Sequence, residues 1–186
     1  MLDKKEKLKG KNRMKLGKIH IYCGDGKGKT TTAIGLMVRC AGAGKKVLFY
    51  QFMKNNTSSE RNILEQLEGI TCLKGKENAK FSFQMTEEEK VLERKENDER
   101  LVEIFKEAKK YDMLCLDEAL YTIRAGLLDE ALLIQCLQEK PEELEVILTG
   151  RDPSERLCEM ADYISEIQKI KHPFDQGLGS RLGIEF

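Results

Sequence analysis

Residues 22–31 read YCGDGKGKTT, with three glycines, two lysines and two threonines in ten positions. The apolar run KIHI (18–21) before it reads as a strand, and TAIGLMVRCAGAG (32–44) after it reads as a helix. A glycine loop between strand and helix that ends in Gly28, Lys29 and Thr30 is close to the phosphate-binding pattern G-x-x-x-x-G-K-[ST]. The glycines let backbone N–H groups turn toward an anion, and the following helix adds its positive end. Lys29 supplies a cation for phosphate oxygens, and the Thr30 hydroxyl can ligate Mg²⁺. The strict pattern fails by one place, because its first glycine falls on Cys23. Counted from Gly24, the loop is one residue short.

Outward from this loop, short β-rich runs alternate with longer helical windows. Strands are expected at 18–22, 46–52, 70–74, 113–117, 145–149 and 163–169, and helices at 29–43, 60–68, 86–110, 127–139 and 154–161. VLFYQF (47–52) and MLCL (113–116) are nearly continuous apolar runs, as expected of parallel strands covered on both faces. Thr86, with Glu89 three residues on, marks a helix start. The reading is an α/β fold with a mostly parallel central sheet and helices on both faces. Ligands of such sheets bind outside the carboxyl ends of the strands.

The segments that follow the strands therefore carry the chemistry. Asp117 and Glu118 end the run MLCLDE, where an acidic pair is the usual second half of a phosphate and Mg²⁺ site. TGR (149–151) places polar and cationic groups near the phosphates or a neighbouring subunit. In QFMKNNTSSERN (51–62), Glu60 suits a helix dipole and Arg61 a surface charge, and chemistry alone does not choose a function for either. The Gly-rich end KHPFDQGLGSRLGIEF (171–186) closes on apolar residues and is expected to dock, with His172 as a satisfied loop histidine.

Composition bounds the rest. The 186 residues suffice for one domain with a sizeable core, expected over 18–186 after a flexible basic segment at 1–17. Lys+Arg and Asp+Glu both number 32, a balance that argues against bulk nucleic-acid binding. No CxxC occurs among the six cysteines, so neither a zinc site nor a redox dithiol is indicated. No apolar stretch approaches the roughly 20 residues of a membrane span. With no signal-peptide pattern, a cytoplasmic location with reduced thiols is expected. On these residues alone, another P-loop ATP-dependent transferase or kinase, or a non-catalytic RecA-type regulator, remains an alternative; a GTPase lacks its N-K-x-D stretch.

GDGKGKTT, QFMK, SERN, LDE, TGR and KHPFDQG…GIEF occur in the order and spacing of the ATP:corrinoid adenosyltransferases, and the chain resembles that family from about Lys18 to Phe186. The family's glycine loop has the same shortened form. The resemblance implies a RecA-like P-loop fold, a homodimer, and transfer of the 5′-deoxyadenosyl group of ATP to the Co(I) of a corrinoid, cobalamin or cob(I)yrinic acid a,c-diamide, with release of triphosphate. It implies that Gly24, Asp25, Gly26, Lys27, Gly28, Lys29, Thr30, Thr31 and Arg151 bind the nucleotide. It places the far phosphate end on the loop, and Mg²⁺ or Mn²⁺ on Thr30 and Glu118 with Asp117 beside them. Lys29 is the implied catalytic cation. Phe81 and Phe83 of KFSFQM are the implied aromatic wedge that displaces the lower axial ligand of Co(II), which a flavin-type protein then reduces. Two departures stand out: Phe83 where the family often has Trp, and Arg181 where its tail often has Gln.

Overall fold

The computed structural model describes residues 16–76 and 82–185. Six strands form one sheet: β1 (Ile19–Cys23), β2 (Val47–Gln51), β3 (Ile70–Cys72), β4 (Met113–Asp117), β5 (Glu145–Thr149) and β6 (Tyr163–Glu166). Their order is β3-β2-β4-β5-β1-β6, and every neighbouring pair is parallel. The helices are α1 (Lys29–Gly42), α2 (Arg61–Leu64), α3 (Glu87–Ala108), α4 (Ala119–Arg124), α5 (Glu130–Gln138) and α6 (Glu155–Met160).

The continuous apolar strands are explained by two cores. Successive side chains of a strand point to opposite faces. Leu48, Tyr50, Leu114, Leu116, Val146 and Leu148 pack with Leu101, Ile104 and Phe105 of α3 and Leu133, Ile134 and Leu137 of α5. The intervening Val47, Phe49, Met113, Cys115 and Ile147 pack with Ala33, Met37 and Cys40 of α1 and Leu64 of α2. Helices thus cover both faces, as the run pattern requires.

The helix start at Thr86 is a capping box. Its Oγ1 accepts the Glu89 N–H at 3.2 Å while its own N–H donates to Glu89 Oε2 at 2.9 Å. Several bounds differ from expectation. The helix over 60–68 contracts to Arg61–Leu64 and then turns. The helix over 127–139 starts at Glu130, because Asp129 takes the N-cap and accepts the Ala131 N–H at 2.8 Å. The six-residue α4, directly after Glu118, had no separate sequence signal. The domain is fastened one residue before the expected boundary, by Gly17 N–H to Glu142 O at 2.6 Å. Most of the expected basic segment, residues 1–15, lies outside the described residues, as does Phe81.

Strand order and register position the site. β5 lies between β1, which leads into the glycine loop, and β4, which ends in Asp117. Gln51 is level with Asp117, and Tyr22 is level with Thr149. The carboxyl ends of β2, β4, β5 and β1 therefore reach the same height.

Candidate active site

Asp117 is fully buried at the centre of this row. Its Oδ1 accepts the hydroxyls of Thr30 at 2.9 Å and Thr149 at 2.6 Å. Its Oδ2 accepts Gln51 Nε2 at 3.2 Å and Lys54 Nζ at 3.4 Å. Four donors occupy the roughly four lone-pair sites of a carboxylate. Asp117 therefore aligns its neighbours more readily than it could take a metal directly. Because Thr30 donates its proton inward, its oxygen lone pairs are left for a ligand. Glu60 accepts the other Gln51 amide proton at 2.9 Å and faces Lys54 at 3.7 Å. Gln51 Oε1 is buried without a hydrogen-bond partner.

Glu118 leaves the strand in the left-handed region, with φ 61°. Its N–H donates to Thr149 Oγ1 at 2.8 Å, so one threonine hydroxyl bridges both acidic residues. Met53, Asn56 and Asp152 also have positive φ, and all lie in loops leaving the carboxyl ends of β2 and β5. Backbone strain of this kind collects at functional sites. Burial, and then the neighbouring Asp117, raise the Glu118 carboxyl above its ordinary pKa, opposed by Lys54, Lys29 and Arg151. Glu118 lines a cleft of about 720 Å³ with Met53, Lys54, Ser82, Tyr121 and Arg151.

The glycines of the loop do different work. A Cβ on Gly24 would meet Ile167 O at 2.5 Å, and one on Gly26 would meet the same atom at 2.7 Å. These two permit close packing against the chain after β6, and the Gly26 N–H is already donated to Ile167 O at 2.7 Å. Gly28 has open space around it but a φ of 121°, which only glycine adopts without strain as it leads into α1. Lys29 folds onto Gly26 O at 2.8 Å, and burial, then Arg151, lower its ammonium pKa. Asp25 accepts the Lys169 N–H at 2.9 Å, so its carboxylate fastens the loop to the tail. Lys27 donates to Glu185 at 2.9 Å. Thr31 is exposed on the first turn of α1.

Lys29, Thr30, Asp117, Glu118 and Arg151 thus share one region. Phe83 lies in the 3-10 turn Ser82–Gln84, 79% exposed, beside the cleft-lining Ser82. The tail attaches through polar groups, while Leu182 and Ile184 remain exposed, so the expectation that apolar burial docks it is corrected. Arg61 is buried and not a surface charge, donating to Glu65 at 2.9 Å and to Leu73 O at 3.2 Å. His172 Nδ1 accepts the Phe174 N–H at 3.2 Å, the satisfied loop histidine expected. Sequence reasoning missed the central place of Gln51, Lys54 and Thr149, and the cleft-facing Tyr121. Gln51, Lys54 and Thr149 were marked only as members of QFMK and TGR at strand ends, and Tyr121, inside α4, carried no signal.

The profile of the family described as ATP:corrinoid adenosyltransferase BtuR/CobO/CobP matches residues 15–186. The chain is 34% identical over 178 residues to the corrinoid adenosyltransferase of Escherichia coli K12, covering 91% of this chain and 86% of that protein. It is 32% identical over 178 residues to the corrinoid adenosyltransferase CobA of Salmonella typhimurium LT2, with the same shares covered. It is 30% identical over 185 residues to the corrinoid adenosyltransferase of a Sinorhizobium species, covering 98% of this chain and 86% of the relative.

Proposed function

The chain belongs to the ATP:corrinoid adenosyltransferase family, enzymes that transfer the adenosyl group of ATP to a corrinoid, and from that premise we propose how its own residues divide the work. The reaction joins the Co(I) of the corrinoid to C5′ of ATP and breaks the C5′–O bond, whose electron pair leaves with the triphosphate. Co(I) is a strong nucleophile in its own right, so no side chain has to supply one. The protein aligns cobalt with C5′ and stabilises a departing polyanion.

The observation that carries this division is the buried Asp117 gripping Thr30 across the sheet, with Glu118 turned toward the cleft. Lys29, Arg151 and the loop amides face the polyphosphate. Thr30 and Glu118 offer the hard oxygen donors that suit Mg²⁺, which ordinarily takes one or two protein oxygens and completes its shell with phosphate and water. When bound, the ion neutralises charge building on the leaving triphosphate. Asp117 acts through Thr30. Glu118 must be ionised for this role, against a burial that favours its protonated form.

Phe83, beside the cleft, and Phe81 form the apolar wedge that displaces the lower ligand of Co(II) and keeps water from replacing it. A flavin-type protein supplies the electron. The enzyme works in the cytoplasm as a homodimer; the exposed edge strand β6, with Tyr163 and Ile164 uncovered, supports an assembly. No described helix is long and apolar enough to cross a membrane.

The test is to incubate the protein with MgATP and chemically reduced cob(I)alamin, follow the corrinoid spectrum and identify the phosphorus products by NMR. An adenosylated corrinoid with intact triphosphate is expected. Release of ADP, with the corrinoid unchanged, would replace this reading with that of a kinase.

A further inference from the structure

The C-terminal segment lies on the glycine loop. Gly26 N–H donates to Ile167 O at 2.7 Å, and Lys169 N–H donates to Asp25 Oδ1 at 2.9 Å. Glu185 reaches the same loop with its side chain, where Oε1 accepts Lys27 Nζ at 2.9 Å. Arg181 holds that carboxylate from the other side, by its backbone N–H at 2.9 Å, its Nε at 3.2 Å and its Nη2 at 3.0 Å. Arg181, and then Lys27, keep the Glu185 carboxyl far below its usual pKa range. The turn closes through Glu185 N–H to Arg181 O at 3.0 Å. One carboxylate therefore sits between two cations at a loop whose composition suits a polyanion.

Apolar packing does little for this stretch. Leu182 is 74% exposed and Ile184 is 55% exposed. The Lys27–Glu185 pair is itself part-exposed, and such pairs contribute little net stability. It is an attachment that a better anion can take over.

We propose that Glu185 is an internal stand-in for phosphate: it occupies Lys27 until a polyphosphate reaches the glycine loop, which then takes Lys27 and releases residues 181–185. This rests on the assignment of the loop to the triphosphate of ATP. A polyphosphate brings several negative charges and engages several loop donors at once, whereas Glu185 brings one charge and engages one of them. The exchange is therefore downhill, and its only internal cost is a weak ion pair. Nucleotide binding would thus loosen the end of the chain before the corrinoid reacts.

The experiment is amide hydrogen exchange on the full-length protein, read at residues 178–186, with magnesium tripolyphosphate as the probe. Exchange should quicken when tripolyphosphate binds. Glu185→Gln should exchange quickly without it and should bind tripolyphosphate about two- to five-fold tighter by calorimetry, the scale of one exposed ion pair. Lys27→Met should also exchange quickly without the probe. Exchange that stays unchanged or slows on binding overturns the inference, as does a Glu185→Gln variant that binds no tighter. If the wild type binds neither tripolyphosphate nor MgATP, the placement of the phosphates on the loop fails, and this inference with it. Binding with unchanged exchange sinks the inference alone.

Discussion

Replacing Thr149 with valine removes one hydroxyl from the centre of the site and keeps the shape of the side chain. Thr149 is fully buried; its Oγ1 donates to Asp117 at 2.6 Å and accepts the Glu118 N–H at 2.8 Å. A hydrogen bond to a charged acceptor contributes about 1.5–3 kcal/mol, and a partly buried N–H left without an acceptor costs about 1 kcal/mol at the low end of its range. The two losses centre on one atom and are not fully additive, so the expected destabilisation is about 2–3 kcal/mol. For a chain of this size that is a fall in Tm of about 4–12 °C. The Glu118 turn, strained at φ 61°, loses its anchor as well, so the Mg²⁺ needed for half-maximal activity should rise. Urea denaturation at neutral pH gives the stability, and magnesium titration of the transfer reaction gives the second effect. Thr149→Ser keeps the hydroxyl and should retain most of both. A valine variant within about 0.5 kcal/mol of wild type, or a serine variant as damaged as valine, would refute the bridging role.

Four further outcomes are expected. Lys29→Ala should lower turnover by roughly 10²–10³, the scale of deleting one electrostatic donor; normal turnover in a folded variant would remove the loop from the mechanism. Glu118 has a raised folded-state pKa, so the stability it contributes is present below its unfolded pKa and lost as pH rises through its folded pKa. Glu118→Gln should therefore gain stability relative to wild type as pH rises through that acidic window, while needing more Mg²⁺; denaturation midpoints that do not diverge with pH would contradict the assigned burial. Phe83→Ala should lose much activity when Co(II) and a mild flavin reductant are supplied but keep most of it with preformed Co(I), because the wedge proposed for it would act before adenosyl transfer. An equal fall in both assays would make Phe83 an ordinary binding residue. Gly26→Ala puts a Cβ 2.7 Å from Ile167 O and should cost about 1–3 kcal/mol in thermal unfolding; an unchanged Tm would show that the chain after β6 moves aside freely.

The sequence by itself determined what depends on neighbours along the chain. The strand–loop–helix around YCGDGKGKTT follows from local periodicity and from residues whose backbone freedom and charge are intrinsic. The continuous apolar runs VLFYQF and MLCL marked two central strands, since a strand covered on both faces must be apolar throughout, and Thr86 with Glu89 marked a helix start because a cap closes within one turn. The resemblance through the spaced motifs reached the family. Only the tertiary structure decided that Asp117 is saturated by Thr30, Thr149, Gln51 and Lys54, that Thr149 also holds Glu118, and that Gly24 and Gly26 serve contact with residues 167–168. It also decided that the tail docks through Glu185 and not through its apolar residues. The physical reason is that a period-2 pattern specifies which face a side chain takes but not which strand lies beside it or at what height. Strand order places β5 between β1 and β4, register sets Gln51 opposite Asp117, and those two long-range choices assemble the site.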